Sequence, residues 1–389
     1  MRSSIGKMPF IVFASRPLYS LAFTVTGRSL CAFQSSPTTR RTCQSSSFSS
    51  LKSSSSHLLE TLEMEAIDQP VTSTKSKTVK LYQSLTSKSK ARSKNQMTIL
   101  EGHRLIIDTI ADERNNHQTR KLYRDVLVTR EALLHPQLGD KLSYQLERVR
   151  EEGCVVRLAS ESVMKAVCDT VTPQGVAAVV GIPPPFTPTP TRNSEDANDS
   201  ELEKQNSNSN RKSKLYLLFD GISDPGNVGT LLRSAKAVGA EAVILLPNSC
   251  DVWNPKAIRS AMGTSFQVNI RSVQSWDECL QFMDSCGVSG DRIYAATMED
   301  AGEEDSVGGG VAFKSQQHFH VDWTSNSNAL VLGQEGSGLS KELRKSVKEG
   351  QIRSVHVPME AGIESLNAAV CGSVIMFEYL RQFQCLPQR

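Results

Sequence analysis

Five runs in the second half of the chain place apolar residues at consecutive rather than alternate positions: LYLLF (215–219), AVILL (242–246), RIYAA (292–296), ALVLG (329–333) and SVHVPM (354–359). Consecutive apolar residues predict strands covered on both faces. The helical patterns between them, at 227–240, 275–286, 340–347 and 366–383, supply the covering layers. Residues 215–389 are therefore expected to form an α/β domain around a parallel sheet.

The rest of the chain divides by composition. Residues 183–214 are rich in Pro, Asn and Ser with almost no apolar residues, too few to offset ordering entropy, and predict a disordered linker. Before it, residues 96–182 alternate short strands and helices and predict a small α/β domain of nearly balanced charge, 11 basic and 12 acidic residues. Residues 60–95 contain a basic stretch (Lys75, Lys77, Lys80, Lys88, Lys90, Arg92, Lys94) that predicts a linker or arm able to neutralise phosphates. Seven contacts to single-stranded RNA correspond to a log–log salt slope of roughly −5. Residues 1–59 hold seven basic residues, 16 Ser and no acid, the first carboxylate being Glu60. That pattern predicts a transit peptide, mitochondrial rather than plastid. Residues 299–328, with three consecutive glycines and a cluster of five acids (Glu299, Asp300, Glu303, Glu304, Asp305), predict an insertion loop between strands.

Composition also excludes several classes. No window holds about 18 uninterrupted apolar residues, because Arg16 and Pro17 break the best one, so no membrane span is expected. The nine cysteines include no C-x-x-C pair, and His318 and His320 lack partners at ligand spacing, so neither a disulfide scaffold nor a metal site is expected. A nicotinamide enzyme fails because no G-x-G-x-x-G follows the first strand, and no phosphate-binding P-loop is present.

Ligands of open parallel sheets bind beyond the carboxyl ends of strands. Three such segments carry the glycines and polar side chains: the stretch from Asp220 to Arg233 with Asp224-Pro225-Gly226-Asn227, the loop Gly333-Gln334-Glu335-Gly336-Ser337-Gly338, and residues 358–367 with Glu360, Ser365 and Asn367. Ser340 and Ser365 are expected to cap the helices that follow. In order and spacing, DPGNVGTLLRSAKAVG, LVLGQEGSGLS and VHVPMEAGIESLNAAV resemble the three motifs of the SpoU (TrmH) family of S-adenosylmethionine-dependent RNA ribose 2′-O-methyltransferases. Upstream, the segments 99–105 and 172–177 resemble the start and end of that family's small, ribosomal-protein-like RNA-binding domain. DVWNPKAIRSAMG (251–263) is most similar to the subgroup acting on mitochondrial rRNA.

The resemblance implies a sheet whose last segment threads a loop to form a trefoil knot, a topology that general folding rules would not suggest. It implies S-adenosylmethionine held against Gly333, Val357 and Leu366, and a homodimer whose interface includes the last helix. It implies Arg233 as the catalytic arginine, with Asn227, Glu335, Ser365 and Asn367 orienting it and the ribose. A guanidinium is a poor proton acceptor, so Arg233 is assigned to the target phosphate and to charge developing on the 2′-oxygen. The expected activity is methylation of a guanosine ribose in large-subunit rRNA of the mitochondrial matrix. A tRNA methyltransferase and a non-catalytic ribosome-assembly factor are the rival readings.

Overall fold

The computed structural model describes residues 54–65, 70–111, 119–188, 213–297, 315–361 and 365–385. Most of the expected leader (1–53), most of the linker (189–212) and the glycine-rich part of the expected insertion (298–314) lie outside these residues.

The C-terminal half is built on seven parallel strands: β5 (Leu215–Asp220), β6 (Ala242–Leu245), β7 (Ile270–Ser272), β8 (Ile293–Ala296), β9 (Gln316–Gln317), β10 (Asn328–Gly333) and β11 (Arg353–His356). Their spatial order is β7-β6-β5-β10-β8-β11-β9. Strand β10 lies between β5 and β8, with Asn328 opposite Leu215 and Ala329 opposite Ile293. The five expected strands are all present, and Leu217, Leu218, Leu330 and Val331 are fully buried. Strands β7 and β9 are additions. They are two or three residues long and polar, so neither produces an apolar run.

Helices α8 (Pro225–Val238), α10 (Trp276–Ser285), α11 (Lys341–Lys348) and α12 (Ala368–Cys385) cover the sheet, and a short helix α9 (Pro255–Ser260) precedes β7. Asp224 caps α8 by accepting the Asn227 backbone N–H, Pro225 stands in its first turn, and Gly239 closes it in the left-handed conformation at φ 71°. Helix α8 lies against α9 at Gly229, where a Cβ would come within 2.4 Å of the Ser260 Cβ and 2.6 Å of the Ala261 nitrogen. No helix among the described residues is long and apolar enough to cross a membrane.

The N-terminal half contains a four-stranded sheet in the order β1-β4-β2-β3, made of β1 (Met97–Glu101), β2 (Tyr123–Val128), β3 (Val155–Leu158) and β4 (Val176–Gly181). Its covering helices are α4 (His103–Ala111), α5 (Arg130–Leu133), α6 (Gly139–Glu151) and α7 (Glu161–Val167).

Three helices precede β1 and correct the expected organisation. Helix α1 (Ser54–Glu65) spans the boundary at 59/60 expected between leader and arm, with Leu58 and Leu62 buried in the core of this half. Helices α2 (Lys77–Ser87) and α3 (Ser89–Asn95) replace the expected arm. Val79, Tyr82 and Leu85 recur every three residues and are fully buried under the sheet, while Lys77, Lys80, Lys88, Lys90 and Lys94 are exposed. The charge density of this stretch hid a sparse apolar stripe. The expected insertion at 299–328 is likewise corrected over its last part. Residues 316–317 pair with β11, and Trp323 is fully buried with its Nε1–H donated to the His318 carbonyl. The linker's near end is also ordered, Phe186 meeting Phe282 edge-on at 6.2 Å.

The two halves meet along residues 251–266. Arg92 of α3, almost wholly buried, pairs with Asp251 at 2.8 Å and donates to the Leu85 carbonyl. Thr98 donates to the Trp253 carbonyl at 2.6 Å, and Ile258 and Phe266 complete the core of the N-terminal half. Removing Arg92 takes the ion-pair partner from Asp251, itself 24% exposed, and leaves the Leu85 carbonyl without that donor. Arg92→Ala is expected to cost about 3 kcal/mol in urea unfolding, and Lys94→Ala, on the exposed side of the same helix, to leave stability within about 0.5 kcal/mol.

Candidate active site

The carboxyl ends of β5, β10 and β11 bring the three polar segments together, because parallel strands deliver their following loops to one edge of the sheet. After β11 the chain returns across that edge to begin α12. Helix α12 packs on α8, with Ser234 and Ser373 hydroxyls 2.8 Å apart. A Cβ at Gly372 would lie 2.8 Å from Leu231 and 2.6 Å from Leu332. This return places Asn367 beside Asn227 and Glu335, residues 108 and 140 positions from Asn227 in sequence being its direct partners.

The three side chains form a closed triangle. The Asn227 Nδ2 donates to Glu335 Oε2 at 2.9 Å, and the Asn367 Nδ2 donates to the same oxygen and to Asn227 Oδ1, each at 3.0 Å. Asn367 Oδ1 accepts from the Ala369 and Val370 backbone nitrogens, so Asn367 caps α12. The expected cap, Ser365, is two residues too early and stands exposed at the mouth of a cleft. Ser340 occupies the cap position of α11 without a side-chain bond, and its backbone N–H goes to Asp220 Oδ2 at 2.6 Å instead. Burial raises the Asp220 carboxyl above its ordinary range, while that N–H opposes the rise.

The Gly333–Gly338 loop closes on itself. Gln334 and Gly338 exchange both backbone hydrogen bonds at 2.9 Å, and Gly336 and Gly338 adopt φ of 88° and 69°. Gly333 is required by proximity: a Cβ there would fall 2.7 Å from the Gly338 backbone. Beneath this loop opens a cleft of about 230 Å³ lined by Gly333, Glu335, Val357, Ser365 and Leu366. All three expected cofactor contacts are thus in one concavity. Leu332, Val355, Met359 and Cys371 add apolar wall. Sequence reasoning missed Met359 and Cys371 because an apolar residue after a strand or inside a helix carries no chemical signal of its own.

Arg233 is not brought into the triangle. It is exposed on α8, and six residues separate it from Asn227, which turns it about 120° away around the helix. It shares that exposed face with Thr230 and Ala237. On the neighbouring helix, Val370, Val374 and Phe377 form an exposed apolar stripe at helical spacing.

Residues 214–377 match the model of the SpoU rRNA Methylase family, and residues 76–178 match that of the MRM3-like substrate binding domain. The C-terminal half thus carries a SpoU rRNA methylase domain. Among relatives, rRNA methyltransferase 3A, mitochondrial, of Danio rerio is 27% identical over 320 residues, which cover 77% of this chain and 67% of the relative. The 23S rRNA (guanosine(2553)-2′-O)-methyltransferase RlmP of Bacillus subtilis is 26% identical, with 79% of this chain and 97% of the relative covered. The SpoU fold is shared with an AdoMet-bound rRNA methyltransferase from Sinorhizobium meliloti at 21% identity. That match has a TM-score of 0.57 and covers 80% of this chain and 97% of that one.

The triangle sets a charge test. Asn367→Asp keeps the size and the helix cap but puts a second carboxylate 3.0 Å from Glu335. Repulsion between the two carboxylates destabilises the folded state. The variant's melting temperature is expected to fall roughly 2–4 °C below that of the unaltered protein at neutral pH, by calorimetry.

Proposed function

We propose that this SpoU protein transfers a methyl group from S-adenosylmethionine to the 2′-hydroxyl of a guanosine in mitochondrial large-subunit rRNA, as a homodimer in the matrix. The observation that carries the reading is the convergence of Asn227, Glu335 and Asn367 on the rim of the Gly333–Val357–Leu366 cleft. These residues come from the first turn of α8, the loop after β10 and the cap of α12, three segments far apart in sequence. Relatives from fish, mouse and human bear mitochondrial rRNA methyltransferase names, and the Bacillus subtilis relative is named for a guanosine. The acid-free first 59 residues support the mitochondrial address. The position of β10 between β5 and β8, and the return from β11 to α12, are compatible with the threaded last segment implied by the family motifs.

The cleft fits the methyl donor. Its apolar wall suits adenine and the methionine chain, the glycine at 333 lets backbone approach a ligand closely, and Glu335 supplies a carboxylate at the mouth. Bound there, S-adenosylmethionine supplies an activated methyl group. Asn227 and Asn367 hold the Glu335 carboxylate in one orientation. Arg233 would engage the phosphate next to the target and stabilise negative charge growing on the ribose oxygen. Because Arg233 stands on the outer face of α8, beside the apolar stripe of α12, pairing two copies across that stripe would deliver it to a cleft. The exposed lysines of α2 and α3 would meet RNA phosphates as a fixed surface.

Two measurements test this. Arg233→Ala is expected to retain S-adenosylmethionine affinity by calorimetry and to lose methyl transfer by about a hundredfold or more; transfer at the unaltered rate overturns the role. Phe377→Glu is expected to shift the protein from dimer to monomer in light scattering and to remove methyl transfer together with the dimer. A dimer that survives Phe377→Glu unchanged overturns the assigned interface.

A further inference from the structure

The N-terminal half contains a cavity of about 510 Å³ that the methyl-transfer reading does not use. It opens at the carboxyl ends of β1 and β2, beside the loop 168–175 that leads into β4. Its walls are the rings of His103 and His135, with centroids 5.3 Å apart and inclined at 52°, and the side chains of Leu138 and Met164. Thr129, Thr172 and Gln174 add hydrogen-bonding groups.

The chemistry of this cavity selects its occupant. Glu131, Glu161 and Lys165 all line it, and two carboxylates against one ammonium repel a phosphate more than they attract one. Burial lowers His103 below its ordinary value, and its Nε2 lies 3.2 Å from the Ala132 carbonyl, fitting a neutral ring donating there. The His135 Nδ1 accepts the backbone N–H groups of Gln137 and Leu138, each at 3.3 Å, so its Nε2–H is available as a donor. An aromatic and apolar wall with a few donors and acceptors matches a nucleobase, which has a π face and a polar edge. The volume falls in the range of small-molecule sites, roughly 300–1,000 Å³.

The cavity is also tied to the active site through bonds. Asp169, two residues before the lining residue Val171, pairs with Arg259 at 2.9 Å. Arg259 reaches Glu101 at 3.4 Å, and that buried carboxylate also accepts from the Asp169 N–H and the Thr170 hydroxyl. The next residue, Ser260, donates to the Gly226 carbonyl at 3.1 Å, immediately before Asn227. Cavity wall and catalytic helix are therefore held in one register.

We propose that this cavity receives an unstacked base of the substrate RNA, at a nucleotide other than the one methylated. The proposal rests on the RNA-methyltransferase reading and deepens it. A rigid connection between a base cavity and the methyl-transfer cleft would make their separation a determinant of which ribose is modified.

The test uses the full chain and RNA fragments centred on the guanosine for which the Bacillus subtilis relative is named, carrying single abasic nucleotides at successive positions. Binding of the unaltered protein is expected to fall roughly tenfold or more at one abasic position away from the target. His135→Ala and Lys165→Ala are expected to weaken binding of intact RNA and to become insensitive to that abasic position, with the salt slope unchanged. Lys165 is exposed, so its variant keeps the test valid if His135→Ala does not fold. The cavity proposal is overturned if no abasic position is singled out, or if both variants retain the full abasic penalty. It is also overturned if their losses come with a flatter salt slope, which marks a phosphate contact. Methyl transfer to the intact fragment is measured in parallel, so the enzymatic reading can stand while the cavity proposal falls.

Discussion

Strand β10 is hydrogen-bonded on both sides, to β5 and to β8, and the position of every functional group follows from that. Its register with β5 ends at Gly333 opposite Asp220, so the loop carrying Glu335 begins level with the loop that leads into α8 and Asn227. A register slip of one residue would turn Leu330 and Val331 to opposite faces and move Glu335 out of reach of both asparagines. The fully buried leucines and valines of β5 and β10 make such a slip costly. The precision of the polar triangle is thus inherited from an apolar match below it.

The sheet was legible in sequence because two-sided burial writes itself as consecutive apolar residues. The loops were legible because glycine, proline and amide side chains at strand ends have few other uses. Short or polar strands such as Gln316–Gln317 left no such mark, being stabilised by one neighbour and by Trp323 packing nearby. The helices at 54–65 and 77–95 were obscured for a different reason. Serine and lysine dominate the composition of 77–95, where three apolar residues on one face suffice for burial, and the helix at 54–65 opens on a serine run continuous with the leader. Helix caps were misassigned for want of a one-residue resolution that only the backbone path supplies: Asn367, not Ser365, meets the first free N–H groups of the last helix. The place of Arg233 in its helix was legible, but sequence proximity to Asn227 conceals a separation of about 120° around the helix axis.

The contact between the halves explains why residues 251–263 carry so distinctive a pattern. Asp251 meets Arg92, Trp253 offers its carbonyl to Thr98, Ile258 enters the other half's core, and Arg259 reaches Glu101 and Asp169. Ser260 and Ala261 leave room for nothing larger than the glycine at 229. One short segment therefore faces two directions, toward the N-terminal sheet and toward helix α8. Most of its side chains are committed to holding that arrangement.

Strand β5 is joined to a partner 113 residues further along the chain, Leu215 to Asn328. A nascent chain emerging from the ribosome therefore completes the N-terminal sheet, whose strands lie within residues 97–181, long before β10 exists. Until β10 arrives, β5 and β8 each present an open edge of unpaired backbone groups flanked by apolar side chains. That interval is when this protein is most exposed to aggregation. The same central strand that aligns the site makes synthesis of the last third of the chain the step on which correct folding waits.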